Sequence, residues 1–422
     1  MRSPTFVDLF AGCGGLSLGM QSAGFRLQLA VESHVDAFAT LRANLIDRPG
    51  SSTSWVGGIP CQAHDITDLL ANYRNEIVRL AGQVDVVVGG PPCQGFSLNG
   101  KRAADDPRNE LVHSYLEMVG LLKPSLVLLE NVRGFTSMKH ETEGTFSLFV
   151  SARLRAMGYD VWSAIVSASE WGVPQRRPRF LLVAAKSGML RGINPFERLR
   201  VGRRAFLRDR NLPLERPVSA SEAISDLETT GATLVADFEY GKEGFKQIAY
   251  CDERELCAYQ TLMRSGMHGT PSDLRLPRHT LQVTKKFDLM IETCKQGRSL
   301  SLADRARLGI KKRATTPMAR EMVAPTVTTL PDDMVHYREP RVLTVREMAR
   351  LQSFPDWFSF KGPYTSGGQR RRVDCPRYTQ VANAVPPLLA QAAGTMLLGL
   401  LGSADMSADC PDVFEVRRKV LT

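Results

Sequence analysis

The sequence predicts an α/β fold, with a mainly parallel, Rossmann-like sheet and a second, smaller, loop-rich domain. Residues 5–185 alternate short apolar runs with helical patterns, which is typical of a sheet covered by helices on both faces. Regularity falls after Lys186, and residues 217–335 combine weak periodicity with scattered Gly, Pro, Thr and Lys. Order returns at 342–352 and at 378–401, where an apolar helical stretch can pack back on the first domain.

Each predicted strand is a short apolar run bounded by turn residues or by a helical pattern. The six predicted strands are 5–8, 27–31, 85–88, 125–130, 161–166 and 179–184. The clearest helical patterns between them cover 109–122 and 146–157. In an open sheet of this kind, the ligand crevice lies at the carboxyl ends of the parallel strands.

Composition indicates a basic globular protein. The 422 residues carry a net charge of +10, and 43% of them are hydrophobic. The positive charge suits an acidic partner, of which nucleic acid is the commonest, although a merely basic surface gives the same balance. We see no apolar run of 18 residues and no room before the first strand for a leader, so we expect neither a membrane span nor a signal peptide.

The eight cysteines and seven histidines predict no metal site. The sequence contains no CxxC pair and no HExxH pattern, and its cysteine spacings suit neither zinc ligation nor a small disulfide scaffold. A reduced, cytoplasmic setting fits this cysteine usage best.

The loop after the first strand is a candidate cofactor site. It contains Phe10, Gly12, Gly14 and Gly15 and precedes a helical pattern. Glycines there let a ligand approach the backbone at a helix N-terminus. The dinucleotide fingerprint needs a further glycine where this chain has Ser17, so the loop alone is a weak signal.

Two acids extend this candidate site. Glu32 ends the second predicted strand, where a carboxylate can hold ribose hydroxyls, and Asp65 can accept from an adenine amino group. Each acid taken singly is equally well a solvated loop residue. Together they outline a nucleoside pocket without a pyrophosphate cradle, which suits S-adenosylmethionine better than NAD.

Cys93 is the candidate nucleophile. It lies in the segment GGPPCQGFS, residues 89–97, directly after the apolar run 84–88. Two glycines and two prolines predict a rigid turn that presents the thiol at the edge of the sheet. The alternative is a packed cysteine beside a turn.

Cys61 serves as a comparison, because Pro60-Cys61-Gln62 repeats the same tripeptide. It follows the Gly- and Ser-rich stretch 50–58 instead of an apolar strand, so nothing would hold a nucleophile in place. We expect loss of Cys61 to be tolerated.

Further chemistry is predicted at the ends of two later strands. Glu130 ends the strand 125–130 and can donate a proton to a ring nitrogen, although a helix cap or an ion pair is the alternative. Gln175, Arg177 and Arg179 alternate at the start of another strand, so they can share one face. A solvated arginine row is the alternative.

These motifs, in this order, resemble those of the bacterial DNA (cytosine-5)-methyltransferases. The matching segments are Gly12–Gly15, Glu32, Asp65, Pro92-Cys93-Gln94, Glu130-Asn131-Val132, Gln175-x-Arg177-x-Arg179, Arg341 to Pro355, and Gln380 to Pro386. The resemblance covers about residues 4–400 except 190–320. Departures are Ser33, where some members place an aromatic residue, and Ala382 in place of a common glycine.

The resemblance implies an S-adenosylmethionine-dependent methyltransferase sheet and a covalent mechanism. Cys93 would add to C6 of a flipped-out cytosine, while protonated Glu130 engages N3. Arg179 would contact O2, with Gln175 and Arg177 in support.

The resemblance also extends the set of site residues. To the cofactor residues it adds Ile66, Pro91 and Asn383. Gln94, Ser97 and Lys101 would contact DNA from the loop after Cys93.

The implied organisation has four parts. Residues 1–186 would form the catalytic and cofactor-binding domain, and 187–376 the target-recognition domain, which includes the ninth of the family's motifs at residues 341–355. A helix at 377–402 would complete the catalytic domain, before a tail at 403–422. Seven arginines within 198–216 predict a DNA contact or a domain linker, with a solvated linker as the alternative.

The predicted partner is double-stranded DNA, bound by a monomer that can be paired functionally with a restriction endonuclease. Two other hypotheses remain at this point. One is an RNA methyltransferase of the same fold, against which the roughly 150-residue recognition region speaks. The other is a DNA-binding protein without turnover, against which intact Cys93, Glu130 and Arg179 speak.

Overall fold

The computed structural model describes residues 2–92, 110–140, 143–237, 239, 244–251, 255–365 and 373–408, with side chains up to 402 in the last helix. The strands within these ranges are β1 Thr5–Leu9, β2 Arg26–Val31, β3 Val86–Gly89, β4 Leu126–Val132, β5 Lys139–His140, β6 Gly144–Thr145, β7 Tyr159–Ser167, β8 Pro178–Lys186, β9 Leu234–Asp237, β10 Phe245–Ile248, β11 Thr316–Pro317 and β12 Met334–Val335. The helices are α1 Gly15–Ser22, α2 Val35–Leu45, α3 Ile66–Asn72, α4 Arg74–Arg79, α5 Glu110–Leu122, α6 Phe146–Ala156, α7 Pro195–Arg208, α8 Ala220–Ile224, α9 Ala258–Arg264, α10 Leu281–Thr293, α11 Leu302–Leu308, α12 Val345–Leu351, α13 Arg377–Asn383 and α14 Pro387–Ala408.

Six of the strands form one sheet in the order β2-β1-β3-β4-β8-β7. The first four are parallel, while β8 runs antiparallel to both of its neighbours, β4 and β7. The mainly parallel α/β sheet predicted from the sequence is therefore confirmed, and all six predicted strands occur within one or two residues of their predicted bounds.

Strand register brings the site together at one edge of this sheet. Leu9 of β1 is opposite Gly89 of β3, so these two strands end at one level. Gly89 is also opposite Leu129 of β4, which continues from there to Val132. Because β8 is antiparallel, its first residues lie beside the end of β4, with Arg179 opposite Val132. Catalytic candidates from distant parts of the chain therefore share the carboxyl edge.

Hydrophobic clusters cover both faces of the sheet. Phe6 and Val7 are both fully buried, yet they belong to different clusters because successive strand residues point to opposite faces. The Phe6 cluster includes residues of α1 and α14, and the Val7 cluster includes residues of α5 and α6.

Helix α14 packs closely on α1. A Cβ at Gly19 would lie 2.3 Å from the Ala390 Cβ, so only glycine permits this approach. Between α13 and α14 the chain leaves the helical conformation at Ala384, two residues before Pro386. The single helical stretch predicted for 378–401 is therefore two helices.

The expectation that no stretch is apolar enough to span a membrane needs correction. Among the described residues, Arg377–Gly402 passes that test by length and composition. Of its most apolar 18-residue segment, 67% is buried inside the protein. Burial of this kind is also found in the core helix of a globular protein.

The later part of the chain is held together by buried arginines. Arg350 is ion-paired with Asp226 and Asp356, and Arg346 and Arg377 both pair with Asp273. Helix α12 also contributes apolar residues to the cluster that contains Phe6. The domain boundaries at 186, 376 and 402 remain predictions.

Candidate active site

A cavity of about 1570 Å³ opens at the carboxyl edge of the sheet. Ten of the predicted site residues line it: Phe10, Gly12, Glu32, Asp65, Ile66, Pro91, Glu130, Arg177, Arg179 and Asn383. Gly14, Gly15 and Gln175 do not line it. Cys93, Gln94, Ser97 and Lys101 lie outside the described residues.

The loop after β1 turns sharply into the cavity. Phe10 has a φ of 59°, an unusual value for a residue with a side chain, and Gly12 has a φ of 56°. A Cβ at Gly12 would meet no atom within 4 Å, so the cavity reaches the backbone here. This is the close approach to the backbone that the glycine loop predicts.

The other two glycines of this loop serve packing. Gly14 is the N-cap of α1 with a φ of 94°, and a Cβ there would lie 2.8 Å from Leu45 Cδ1. At Gly15 a Cβ would lie 2.4 Å from the Val385 carbonyl oxygen. Both positions need glycine because other parts of the chain approach them closely.

Glu32 is fixed by main-chain donors. The Gly12 N–H donates to Oε2 at 2.9 Å, and the His34 N–H donates to Oε1 at 2.8 Å. Burial raises the pKa of Glu32, while these N–H groups act in the opposite direction. The carboxylate therefore stands in the cavity wall with its orientation set by the backbone.

Asp65 and Ile66 begin α3 on the same wall. The Asp65 side chain caps the helix, since Oδ1 accepts from the Thr67 N–H at 2.8 Å and from the Thr67 hydroxyl. Oδ2 takes no part in this cap. Ile66 is buried beside it and supplies an apolar surface.

Glu130 and Arg179 form the polar centre of the other end of the cavity. Arg179 Nε lies 2.7 Å from Glu130 Oε1, and their side chains are only 9% and 11% exposed. Burial lowers the pKa of the Arg179 guanidinium, whereas Glu130 raises it. A glycine at position 90 keeps the space beside the Glu130 carboxylate open. Any other residue would place its Cβ only 3.2 Å from Glu130 Oε2.

Asn131 connects this pair to the segment that leads to Cys93. Its Nδ2 donates to the Pro91 carbonyl at 3.1 Å, and Pro91 and Pro92 both line the cavity. Pro92, the last described residue before Cys93, therefore lines the cavity together with Glu130.

Gln175 and Arg177 join three distant segments. Gln175, fully buried, donates to the Gln352 side chain at 2.9 Å and accepts from the Val327 N–H at 2.9 Å. Arg177 donates to the carbonyl of Ala382 at 2.7 Å and to that of Ala384 at 3.0 Å. Burial holds the pKa of Arg177 well below its usual value. These contacts place both residues in support of the site.

Sequence reasoning missed several residues of the cavity. His34 stands on the wall beside Glu32, and Arg275 and Arg278 come from the segment 275–279. Arg278 is exposed, and its guanidinium lies 5.3 Å from the Phe245 ring centre. Nothing in the local pattern separates these residues from ordinary loop residues, because their position depends on long-range packing.

Cys61 does not line the cavity, and its thiol pKa is raised by burial. Among the described residues, no group of three or more His, Cys, Asp and Glu side chains is arranged to hold a metal ion.

Comparison with known proteins gives a consistent result. The family model of the C-5 cytosine-specific DNA methylases matches residues 4–398. The type II methyltransferase M.XorII of Xanthomonas oryzae pv. oryzae is 32% identical, with 95% of this chain and 86% of the relative covered. The type II methyltransferase M.DdeI of Desulfomicrobium norvegicum is 31% identical over 92% and 86% of the two chains.

The fold has a counterpart among solved structures. The crystal structure of a candidate DNA modification methyltransferase encoded within an E. coli prophage is 24% identical, covers 95% of this chain and 100% of its own, and has a TM-score of 0.64. The match of the family model to nearly the whole chain decides the assignment. This chain belongs to the C-5 cytosine-specific DNA methylase family and is a DNA (cytosine-5-)-methyltransferase.

Proposed function

We propose that this enzyme methylates C5 of a cytosine flipped out of double-stranded DNA, through a covalent adduct with Cys93. The observation that supports this best is the buried Glu130–Arg179 pair, 2.7 Å apart, on the wall where the chain enters the Cys93 loop. A flipped base brought to that wall would meet an acid and a guanidinium, and Cys93 directly follows Pro92 in the sequence. Flipping costs a few kcal/mol, which contacts to the extruded base must offset.

The protein groups divide the chemistry among them. The Cys93 thiolate forms a bond to C6, and C5 becomes nucleophilic. Glu130 holds a proton at N3, and the guanidinium of Arg179 contacts O2, so charge developing on the ring is stabilised. Once C5 carries the methyl group, its proton is lost to solvent and the C5–H electron pair forms the C5=C6 double bond, while the C6–S bond breaks and its electron pair returns to sulfur.

The cofactor end fits S-adenosylmethionine, which would supply an electrophilic methyl group. Glu32 offers a buried carboxylate that suits the ribose hydroxyls, and Asp65 Oδ2 suits an adenine amino group. Phe10 and Ile66 would pack against the adenine. The open backbone at Gly12 leaves room for the ligand.

Pro91 and Asn383 also line the cavity, and we assign both to the cofactor site. In this proposal Arg177 holds the 382–384 segment, and Gln175 joins Val327 to Gln352.

We further assign double-stranded DNA as the partner and residues 187–376 as the part that recognises it. The net charge of +10 and the exposed Arg278 at the cavity support this assignment. Gln94, Ser97 and Lys101 would contact the DNA around the flipped base. The relatives named as type II methyltransferases support a protective role beside a restriction endonuclease. We also propose that the enzyme acts as a monomer in the bacterial cytoplasm.

The test is expression in a methylation-free bacterial host, followed by base-resolution mapping of 5-methylcytosine in genomic DNA. We expect methylation confined to one short sequence motif. Soluble protein without DNA methylation, but with methylated RNA in the same cells, would contradict the DNA assignment. Methylation at adenine or at N4 of cytosine would contradict the chemistry.

A further inference from the structure

His34 has a place in the cofactor wall that the chemistry above does not use. It follows Glu32 by two residues and precedes α2. Its ring Nδ1 accepts from the Asp36 N–H at 3.1 Å and so caps the helix. Its ring Nε2 lies 2.7 Å from the carbonyl oxygen of Val373, a residue 339 positions away.

These two contacts define the state of the ring. Because Nδ1 accepts a hydrogen bond, the ring proton of the neutral imidazole is on Nε2, where it can donate to the Val373 carbonyl. The His34 N–H meanwhile donates to Glu32 Oε1 at 2.8 Å. One residue therefore joins the Glu32 carboxylate, the start of α2 and the segment 373–376.

The segment 373–376 forms the part of the cavity wall next to Glu32. All four of its residues line the cavity, as does His34. Its inner end is fastened by Gln380, whose Nε2 donates to the Cys375 carbonyl at 2.8 Å and whose Oε1 accepts from the Thr40 hydroxyl at 2.7 Å. His34 holds the outer end, at Val373.

We propose that His34 is a positioning residue for the cofactor. It holds the segment 373–376 in place beside Glu32, and this part of the cavity wall retains the bound cofactor. This role rests on the proposed S-adenosylmethionine site. The Nε2–H of the ring carries the proposed role, while Nδ1 serves only the helix cap.

A pair of substitutions separates the two nitrogens. In His34→Asn the side-chain oxygen can replace Nδ1 in the cap, but the side chain is too short to reach Val373. In His34→Gln the amide nitrogen reaches the position of Nε2 and can still donate, but the cap is lost. The proposal expects Asn to weaken cofactor binding and Gln to preserve it, whereas a purely capping role expects the reverse.

The measurement is the Kd of the full-length variants for S-adenosylmethionine by titration calorimetry, together with the unfolding midpoint without ligand. We expect an increase in Kd of about tenfold for His34→Asn, the effect of one hydrogen bond, and a change of less than about threefold for His34→Gln. In turnover, KM for the cofactor should rise while kcat stays the same. If Asn destabilises the fold, His34→Ala replaces it, and Gln should still bind more tightly than Ala.

Equal Kd values for wild type and His34→Asn would overturn the role of His34, and so would equal losses in Asn and Gln. A wild-type chain that does not bind S-adenosylmethionine at all would overturn the proposed cofactor site, and the role of His34 with it. The two failures are therefore distinguishable by the wild-type titration alone.

Discussion

The two ends of the cavity are built differently. At the cofactor end, Glu32 receives hydrogen bonds from the backbone of Gly12 and His34, so the donors lie within 20 residues of it. At the target end, Glu130 is held by Arg179, 49 residues away, which enters through an antiparallel strand. The first arrangement joins the loops that follow the parallel strands β1 and β2, whereas the second needs β4 and the antiparallel strand β8 to be in register.

We relate this difference to function: the cofactor end sets the affinity for S-adenosylmethionine, and the target end sets the rate of methyl transfer. At the cofactor end, main-chain N–H donors fix the carboxylate, and only a substitution by proline would remove one of them. At the target end, the Glu130 carboxylate is held by the side chain of Arg179, and it has to exchange this partner for the substrate base. We therefore expect substitutions at the target end to lower kcat and those at the cofactor end to raise the Kd for S-adenosylmethionine.

The largest effect is expected for Cys93→Ala. Without the thiolate no bond to C6 can form, so methyl transfer should fall by at least about 10⁴-fold. The measurement is transfer of labelled methyl groups to DNA, with cofactor affinity measured in parallel. Cys61→Ala is the matched control, because Cys61 follows the same Pro-Cys-Gln pattern but does not line the cavity. Normal transfer by both variants would exclude the covalent mechanism.

Glu130→Gln tests the target end without removing the nucleophile. The amide keeps the shape but loses both the acid and the ion pair with Arg179, so kcat should fall by about 10²–10⁴-fold. Single-turnover kinetics would measure this change, and the Kd for S-adenosylmethionine should stay within about twofold of wild type. A variant with normal kcat would show that the pair is only structural.

Glu32→Gln is the counterpart at the cofactor end. The amide can accept from one of the two N–H donors but would place its NH₂ group against the other, and it loses the charge offered to ribose hydroxyls. Loss of a charge-assisted hydrogen bond should raise the Kd for S-adenosylmethionine by about 10–100-fold. At saturating cofactor, kcat should recover to within a few-fold of wild type. A persistent deficit in kcat would mean that the two ends are coupled.

Asp8, at the end of β1, gives a prediction about pH. Burial raises its pKa to about 7, although Ser17 donates to its Oδ2 at 2.6 Å, and its Oδ1 is buried without a partner. Since the folded-state pKa exceeds the ordinary 3.8, this group's stabilisation is complete below about pH 4 and is lost as the pH rises through 7. The free energy of unfolding should fall over that range by an amount on the order of 4 kcal/mol.

Asp8→Asn should remove this fall, which denaturant titrations between pH 4 and 8 would measure. In Ser17→Ala the hydroxyl that lowers the Asp8 pKa is absent, so the fall should still begin near pH 4 but extend to higher pH. A pH dependence that is identical in wild type and Asp8→Asn would show that other groups cause it.

The sheet could be predicted from the sequence because its signals are local. Apolar runs such as 84–88 and 125–130 carry their own pattern, and each ends in residues that suit a ligand crevice. The loop at 10–15 and Glu32 were found in the same way, since a glycine turn and a strand-end acid are recognisable from neighbouring residues. The family resemblance then ordered these residues into one site.

Only the tertiary structure determined the contacts between distant segments of the chain. It placed Gly15 against Val385 and connected Gln175 with Gln352, so Gly15 and Gln175 support the site without lining the cavity. It also joined His34 to Val373 and brought Arg278 into the lining of the cavity. Local periodicity determines which face of a strand or helix is buried, but it does not specify which remote segment covers that face. That choice depends on packing and on hydrogen bonds that form only when the whole chain has folded.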